Sequence, residues 1–397
     1  MTGDQETGAD RDLPGAFGAM SDTTRVTFVI PSLGAGGAER SLEVSLPGLV
    51  ERGIEPRVVV FHRRAQGSHA VVERSGVQVH VVEGSRLRRV VELRRVLLAE
   101  PTDLVHTSVV AADIAGRLAA RAAGLASVGT LVNTTYELSR LDDPNVSRPA
   151  LEVNRAVDAT TARLSVGFRA ITEAVKESAV RRMRLDPDRI EVIPRGRVLG
   201  RFAVTSDDRA RVRERFGVDD DVLVVGNVAR HEHQKGLDLL VEALAELVLR
   251  DRQVLLVQAG RDGNASDELR RRIARLGMDS HVELLGHVDD VAADVLPGLD
   301  VFAFPSRYEG LGGALIEAMA AGLPIVTSDL PVTREVTDGS AVLVPVGDVE
   351  ALADGIERAP GATDRATTID RAGRFALDDV LDREAAWLRR CADSARR

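Results

Sequence analysis

Short apolar runs rich in valine, each followed by a stretch of helical periodicity, recur along this chain in two series. The first series has runs at 25–30, 57–61, 77–82, 104–107 and 128–131, with helical patterns such as 87–99 and 111–123 between them. Strands that are apolar on both faces and separated by helices predict a parallel sheet covered on both sides. Less regular chain follows, with helices expected near 151–161 and from Glu173, and a last run at 189–193 that ends on Pro194. The stretch 194–221 is charged and has little apolar periodicity before Val212, which marks a boundary. The second series then places strands at 222–225, 254–259, 282–285, 301–304, 324–327 and 341–344. Its first helix, 236–250, carries Leu237, Leu240, Val241, Leu244, Leu247 and Val248 on one face. The expected fold is α/β, with two Rossmann-like doubly wound domains facing each other across a cleft. The expected division is a disordered tail at 1–24, a first domain at 25–200, a linker at 201–220, a second domain at 221–377 and a C-terminal helix at 378–397. Ligands of such sheets bind outside the carboxyl ends of the strands, so loops of both domains should converge on one cleft.

Composition narrows the function classes. Aromatic residues make up only 3% of the 397, too few for a stacking platform for single-stranded nucleic acid. A net charge of -9 argues against general affinity for nucleic acid or an anionic membrane, although a local basic patch such as the arginines of 86–95 survives it. The single cysteine, Cys391, excludes an intrachain disulfide framework and a cysteine-based zinc site. With an acidic, Gly-rich start and no apolar run of membrane-spanning length, the chain reads as soluble and cytoplasmic, or at most peripheral to a membrane.

The most informative motif is Glu309-Gly310-Leu311-Gly312-Gly313-Ala314-Leu315-Ile316-Glu317, between the run at 301–304 and a helix expected at 312–321. Free peptide N–H groups at a helix start attract anions, and glycines admit a ligand close to the backbone. Glu309 in the loop can accept hydrogen bonds from hydroxyls, and Glu317 lies about five residues, or about 7 Å, into the helix. A molecule with an anionic middle and hydroxylated ends fits this layout. Taken alone, the loop fits an ordinary glycine-rich helix start equally well. A second motif, Arg230-His231-Glu232-His233-Gln234-Lys235-Gly236, leaves a strand at the same sheet edge, and two cations beside a helix start suit a diphosphate. His231 and His233 have no further ligands nearby in sequence, so a metal site is not expected there. A third glycine loop, Leu33-Gly34-Ala35-Gly36-Gly37-Ala38-Glu39, lacks the spacing of a dinucleotide fingerprint but can still face phosphates or an acceptor.

Together these residues resemble the family-four, retaining glycosyltransferases of the GT-B fold (glycosyl transferases group 1). The resemblance runs from Arg25 to the C-terminal helix and rests on the E-x7-E pair Glu309 and Glu317, the Arg230 and Lys235 pair, and the Gly36-Gly37-Ala38-Glu39 loop. It implies transfer of a sugar from a nucleotide-diphosphate sugar, UDP- or GDP-linked, to an acceptor hydroxyl with retention, without a metal or other cofactor. It implies that Arg230 and Lys235 hold the diphosphate, Glu317 the ribose and Glu309 the donor sugar. Gly310, Leu311 and Gly312 would contact sugar and phosphate through their backbone, with Gly36 and Gly37 also on the donor. Two departures stand out. Asn133 occupies the place where many relatives carry a histidine, and Pro194-Arg195-Gly196-Arg197 replaces their Pro-Asn-Gly. Asn133, His106 and Arg195 are the candidates for the acceptor or donor-sugar side; a solvated linker role for Arg195 and Arg197 and a structural role for His106 stay open. The acceptor is a sugar, a lipid-linked molecule or a small molecule. Within the same architecture a nucleotide-sugar epimerase and a non-catalytic nucleotide-sugar-binding protein remain alternatives.

Overall fold

A computed structural model describes residues 23–34, 36–64 and 67–396. The expected tail at 1–24 lies outside these residues up to position 22, and Thr24 already pairs in the first strand.

The first domain holds seven parallel strands: β1 (Thr24–Ile30), β2 (Ile54–Val60), β3 (Gln78–Val81), β4 (Leu104–Ser108), β5 (Ser127–Leu131), β6 (Gly167–Ala170) and β7 (Ile190–Val192). Their order is β3-β2-β1-β4-β5-β6-β7. The second domain holds β8 (Leu223–Val228), β9 (Val254–Ala259), β10 (Val282–Gly286), β11 (Val301–Phe304), β12 (Ile325–Ser328) and β13 (Val342–Val344), in the order β10-β9-β8-β11-β12-β13. In each sheet the strand order reverses beside the first strand of the domain, between β1 and β4 and between β8 and β11. That switch point opens a crevice where ligands of doubly wound sheets sit.

Two features differ from the sequence reading. The stretch 201–220 is not a free linker. Helix Ser206–Phe216 starts with a Thr205 and Asp208 capping box, and its Arg209 and Arg213 both bind Asp300 of the second domain. Strand β6 was not anticipated, because its four residues include an arginine; buried Arg169 finds a carboxylate, Glu384, on the C-terminal helix.

The C-terminal helix, Leu377–Arg396, returns to the first domain. Its Val380, Leu381, Ala385, Trp387 and Leu388 join the core formed by Val26, Phe28, Leu46 and Leu49. The chain therefore crosses between domains twice, and the crossings are tied. Arg197 N donates to Phe375 O at 2.8 Å, and Leu377 N donates to Arg197 O at 3.0 Å. Gly196 lies between them, where a Cβ would stand 2.7 Å from Leu377 Cα. The domains also touch across the cleft. Glu335 of the second domain accepts from Glu173 N at 2.8 Å and Ala174 N at 3.1 Å, capping helix Glu173–Met183 of the first. One apolar cluster runs from Tyr136 and Phe168 through to Phe302 and Leu311, so the two cores are continuous beneath the cleft.

Candidate active site

The loops carrying Lys235 and Glu309 follow β8 and β11, the two strands that flank the second switch point. They are laced together. Gln234 Nε2 donates to Tyr308 O at 2.8 Å, and Arg307 donates to both oxygens of Asp238 at 2.8 and 2.7 Å. Lys235 Nζ meets Glu309 Oε1 in an ion pair and lies 5.5 Å from the centroid of the Phe304 ring. Glu309, 8% exposed, also accepts from its neighbour Gly310 N at 3.2 Å and from Ser306 Oγ at 3.4 Å.

Past Glu309 the chain turns through Gly310, Leu311 and Gly312 into helix Gly313–Ala320. Gly310 abuts the first domain: a Cβ there would stand 2.3 Å from Val132 O and 2.9 Å from Asn133 Cα. Any side chain would push the domains apart. Thr172 Oγ1 donates to Gly310 O at 3.0 Å from the same side, and Tyr308 OH reaches Asp143 Oδ2 at 3.4 Å. Asn133 thus stands against the Glu309 loop, with its own side chain folded back to accept from Thr134 N at 2.8 Å.

At the mouth of helix Gly313–Ala320 stands Arg197, from the interdomain crossing. Its Nε lies 3.0 Å from Glu317 Oε1, and its Nη2 fills the space a Cβ on Gly313 would need. The mouth of the helix and Glu317 are therefore both covered by a cation from the interdomain crossing. Arg230 is apart from this group: it pairs with Glu232 at 2.9 Å and its side chain is 57% exposed.

Gly36 and Gly37 open the first helix, Gly37–Glu51, on the other wall of the cleft. Glu39 folds back against Gly36, and Arg195 Nη1 lies 3.7 Å from where a Cβ on Gly37 would be. His106 sits deeper in this wall. Its ring lies between Phe28 and Trp387, with centroids at 4.9 and 6.2 Å, and its Nε2 is 2.8 Å from Thr130 Oγ1. Burial holds its pKa down to about 3, so the ring is neutral. Among the described residues no group of three His, Cys, Asp or Glu side chains is placed to hold a metal ion. None of their helices is long and apolar enough to cross a membrane.

Arg169, Glu384, Tyr308 and Thr172 belong to no motif in the sequence. A charged residue inside a strand, or on the apolar face of a helix, was the available signal for the first two.

Two Rossmann-like domains in these strand orders, meeting over glycine-rich helix starts, define the GT-B fold. A solved structure of Anabaena HepE with UDP and glucose has a TM-score of 0.79 at 22% identity, covering 92% of this chain and 99% of that one. Sucrose-phosphate synthase of Thermosynechococcus elongatus gives 0.79 at 19% identity, covering 94% and 100%. Residues 35–201 match the model for Glycosyltransferase Family 4, and residues 219–359 match the model for Glycosyl transferases group 1. The chain belongs to this group 1, family 4 class of glycosyltransferases. It is similar to alpha-D-kanosaminyltransferase of Streptomyces kanamyceticus, 35% identical over 39% of this chain and 41% of the relative. It is also similar to D-inositol 3-phosphate glycosyltransferase of Rhodococcus jostii, 32% identical over 52% of this chain and 45% of the relative. The chain spans about half the length of the curated relatives it matches.

Proposed function

We propose that this protein transfers a sugar from a nucleotide-diphosphate sugar to an acceptor hydroxyl, with retention of the anomeric configuration and without a metal. The observation that carries this is the Lys235 and Glu309 pair at the second switch point, in a loop that leads into the Gly313–Ala320 helix and whose Gly310 abuts Asn133 of the first domain. In this reading Lys235 meets the leaving phosphate, the helix start the diphosphate once Arg197 shifts aside, and Glu317 the ribose. Lys235 and the helix mouth stabilise the negative charge that grows on the departing diphosphate. Arg230, exposed at the rim, adds a second cation by closing over the phosphates. Glu309 receives the hydroxyls of the donor sugar once Lys235 turns to the phosphate. The acceptor attacks from the face the phosphate leaves, and a phosphate oxygen takes the acceptor's proton. The C–O bond to phosphate breaks as the C–O bond to the acceptor forms, and configuration is kept.

Relatives support both a UDP- and a GDP-linked donor: the Anabaena structure holds UDP, and a mannosyltransferase of Mycolicibacterium smegmatis, 35% identical over 48% of this chain, is named as GDP-mannose-dependent. A thermal-shift panel of nucleotide sugars identifies the donor, since a ligand of the folded state alone raises Tm. Mass spectrometry of donor consumption, with and without sugar acceptors, then separates a transferase from an epimerase or a binder. Stabilisation by no nucleotide sugar at all would remove this reading.

A further inference from the structure

The first domain has a switch point of its own, between β1 and β4, and a pocket lies there whose mainly apolar lining, with Phe28, Ile30 and Leu42, is interrupted by polar groups. It opens between the first helix and the C-terminal helix, with Ser41, Ser45, Ser108, Thr130, Arg195 and Glu384 on its walls and His106 among its lining. Two of these groups are electrically incomplete.

The first is Arg195. It is partly buried, and among the described residues it makes no ion pair and no side-chain hydrogen bond. Its neighbours Arg169 and Arg197 are each engaged with a carboxylate of their own, Glu384 and Glu317. Burial and those two cations push its pKa down to about 9, so it stays charged at neutral pH. A half-buried guanidinium with no paired carboxylate keeps hydrogen-bond donors free for a ligand, and Glu39 and Glu384 act on it only from beyond ion-pair distance. The start of the first helix, at Gly37, faces the same guanidinium and adds its own positive end.

The second is Glu384, 4% exposed. Its Oε1 is held by Arg169, but its Oε2 has no hydrogen-bond partner among the described residues. Arg195 and Glu384 share the pocket without pairing. An unpaired cation, a helix start and an unmatched carboxylate oxygen, with serine hydroxyls on the same walls, fit a ligand that carries both an oxyanion and a hydroxyl donor.

We infer that this pocket seats the acceptor, and that the acceptor is a hydroxylated molecule bearing a phosphate or carboxylate: the oxyanion binds Arg195 and the first helix start, and a hydroxyl donates to Glu384. This rests on the transferase reading above, which supplies the donor across the cleft but does not specify the acceptor's charge. The anion orients the acceptor, and Arg195 is therefore a specificity residue.

The test has two parts. Binding of glucose 6-phosphate and of glucose is measured by calorimetry on the wild-type protein, Arg195→Ala and Arg195→Lys, with no donor present. The phosphate is expected to bind at least tenfold more tightly than glucose to the wild type, with that advantage lost in Arg195→Ala and partly kept in Arg195→Lys. Equal binding of glucose 6-phosphate to wild type and Arg195→Ala overturns the inference, whether or not any donor is turned over. Transfer is then compared among glucose, glucose 6-phosphate, glucuronate and phosphatidylinositol vesicles, using the donor found by thermal shift. Preference for any anionic acceptor that Arg195→Ala abolishes at unchanged donor KM supports the inference, and which acceptor is used tells a soluble oxyanion from a lipid headgroup. Undiminished preference in Arg195→Ala overturns it. Failure of the wild type to consume any donor sinks the transferase reading instead, and leaves the calorimetric comparison to decide whether an oxyanion seat exists.

Discussion

Arg197 holds Glu317 at 3.0 Å across the mouth of helix Gly313–Ala320. The cation faces the positive end of a helix, and Glu317 is its compensating charge. A nucleotide whose ribose hydroxyls take Glu317 must loosen this pair, and a diphosphate arriving between guanidinium and helix replaces the charge that Arg197 gives up. On the proposed donor seat, Arg197 should hinder a bare nucleoside and favour a nucleoside diphosphate. Replacing it with alanine is expected to tighten uridine or guanosine and weaken the matching diphosphate. The ratio of the two dissociation constants should change about tenfold, or about 1.4 kcal/mol. Calorimetry with both ligands reads this directly; a parallel change in both constants would show that Arg197 does not discriminate phosphate.

Lys235→Ala removes together the proposed cation for the leaving phosphate and the observed counter-charge of Glu309. Lys235→Ala should lower kcat by about two orders of magnitude, the loss of about 3 kcal/mol of stabilisation of the leaving phosphate. It also leaves Glu309, 8% exposed, without its counter-charge, at a stability cost of about 3 kcal/mol. Adding Glu309→Gln to Lys235→Ala should restore most of the denaturation midpoint while leaving the rate low. A near-wild-type rate for Lys235→Ala would take Lys235 out of the chemistry.

Much of this site was legible beforehand because each motif follows a strand end. Glu309, Lys235 and Glu317 occupy one sheet edge as a matter of topology, once β8 and β11 are recognised. What the sequence hid is pairing across long separations. Arg197 reads as a linker cation until the fold sets it on Glu317, 120 positions away. Arg169 disguised β6 because an arginine in a strand of buried residues has no visible partner until the C-terminal helix delivers Glu384. The helix at 206–216 reads as a polar linker because its attachment depends on arginine contacts to Asp300 more than on an apolar stripe.

His106 gives the first domain a dependence on pH. In the folded protein its ring stays neutral down to about 3, while an unfolded chain protonates it near 6.5. Between those values the unfolded state binds more protons, so stability is lost as pH falls through this window and is retained in full above 6.5. The loss from pH 7 to pH 4.5 should be on the order of 2 to 3 kcal/mol. Urea unfolding across that range should show the slope in the wild type and a flatter profile in His106→Gln; equal slopes would assign the acid sensitivity to other groups.

Because side-chain cations and the helix mouth are assigned the neutralising role, turnover should be the same in excess chelator as in buffer. Steady-state rates with EDTA, and with magnesium or manganese restored, check this. A rate that collapses in chelator and returns with a divalent ion would transfer the role to a metal.

Trp387 anchors the C-terminal helix, 4% exposed and edge-on to His106. Trp387→Ala should cost about 3–5 kcal/mol. The loss should fall on the first domain, so hydrogen exchange should quicken in β1 and β4 while β8 and β11 keep their protection.

The return of helix Leu377–Arg396 also fixes an order of events during synthesis. The first domain leaves the ribosome first, yet Val26, Phe28, Leu46 and Leu49 lack their covering surface until Trp387 and its neighbours have been translated. The half made earliest is thus sealed last, whereas every strand of the second sheet, β8 to β13, precedes residue 377. A released chain ending before residue 377 would hold all the strands of both sheets but leave the first with an open apolar flank, the stretch most in need of a chaperone.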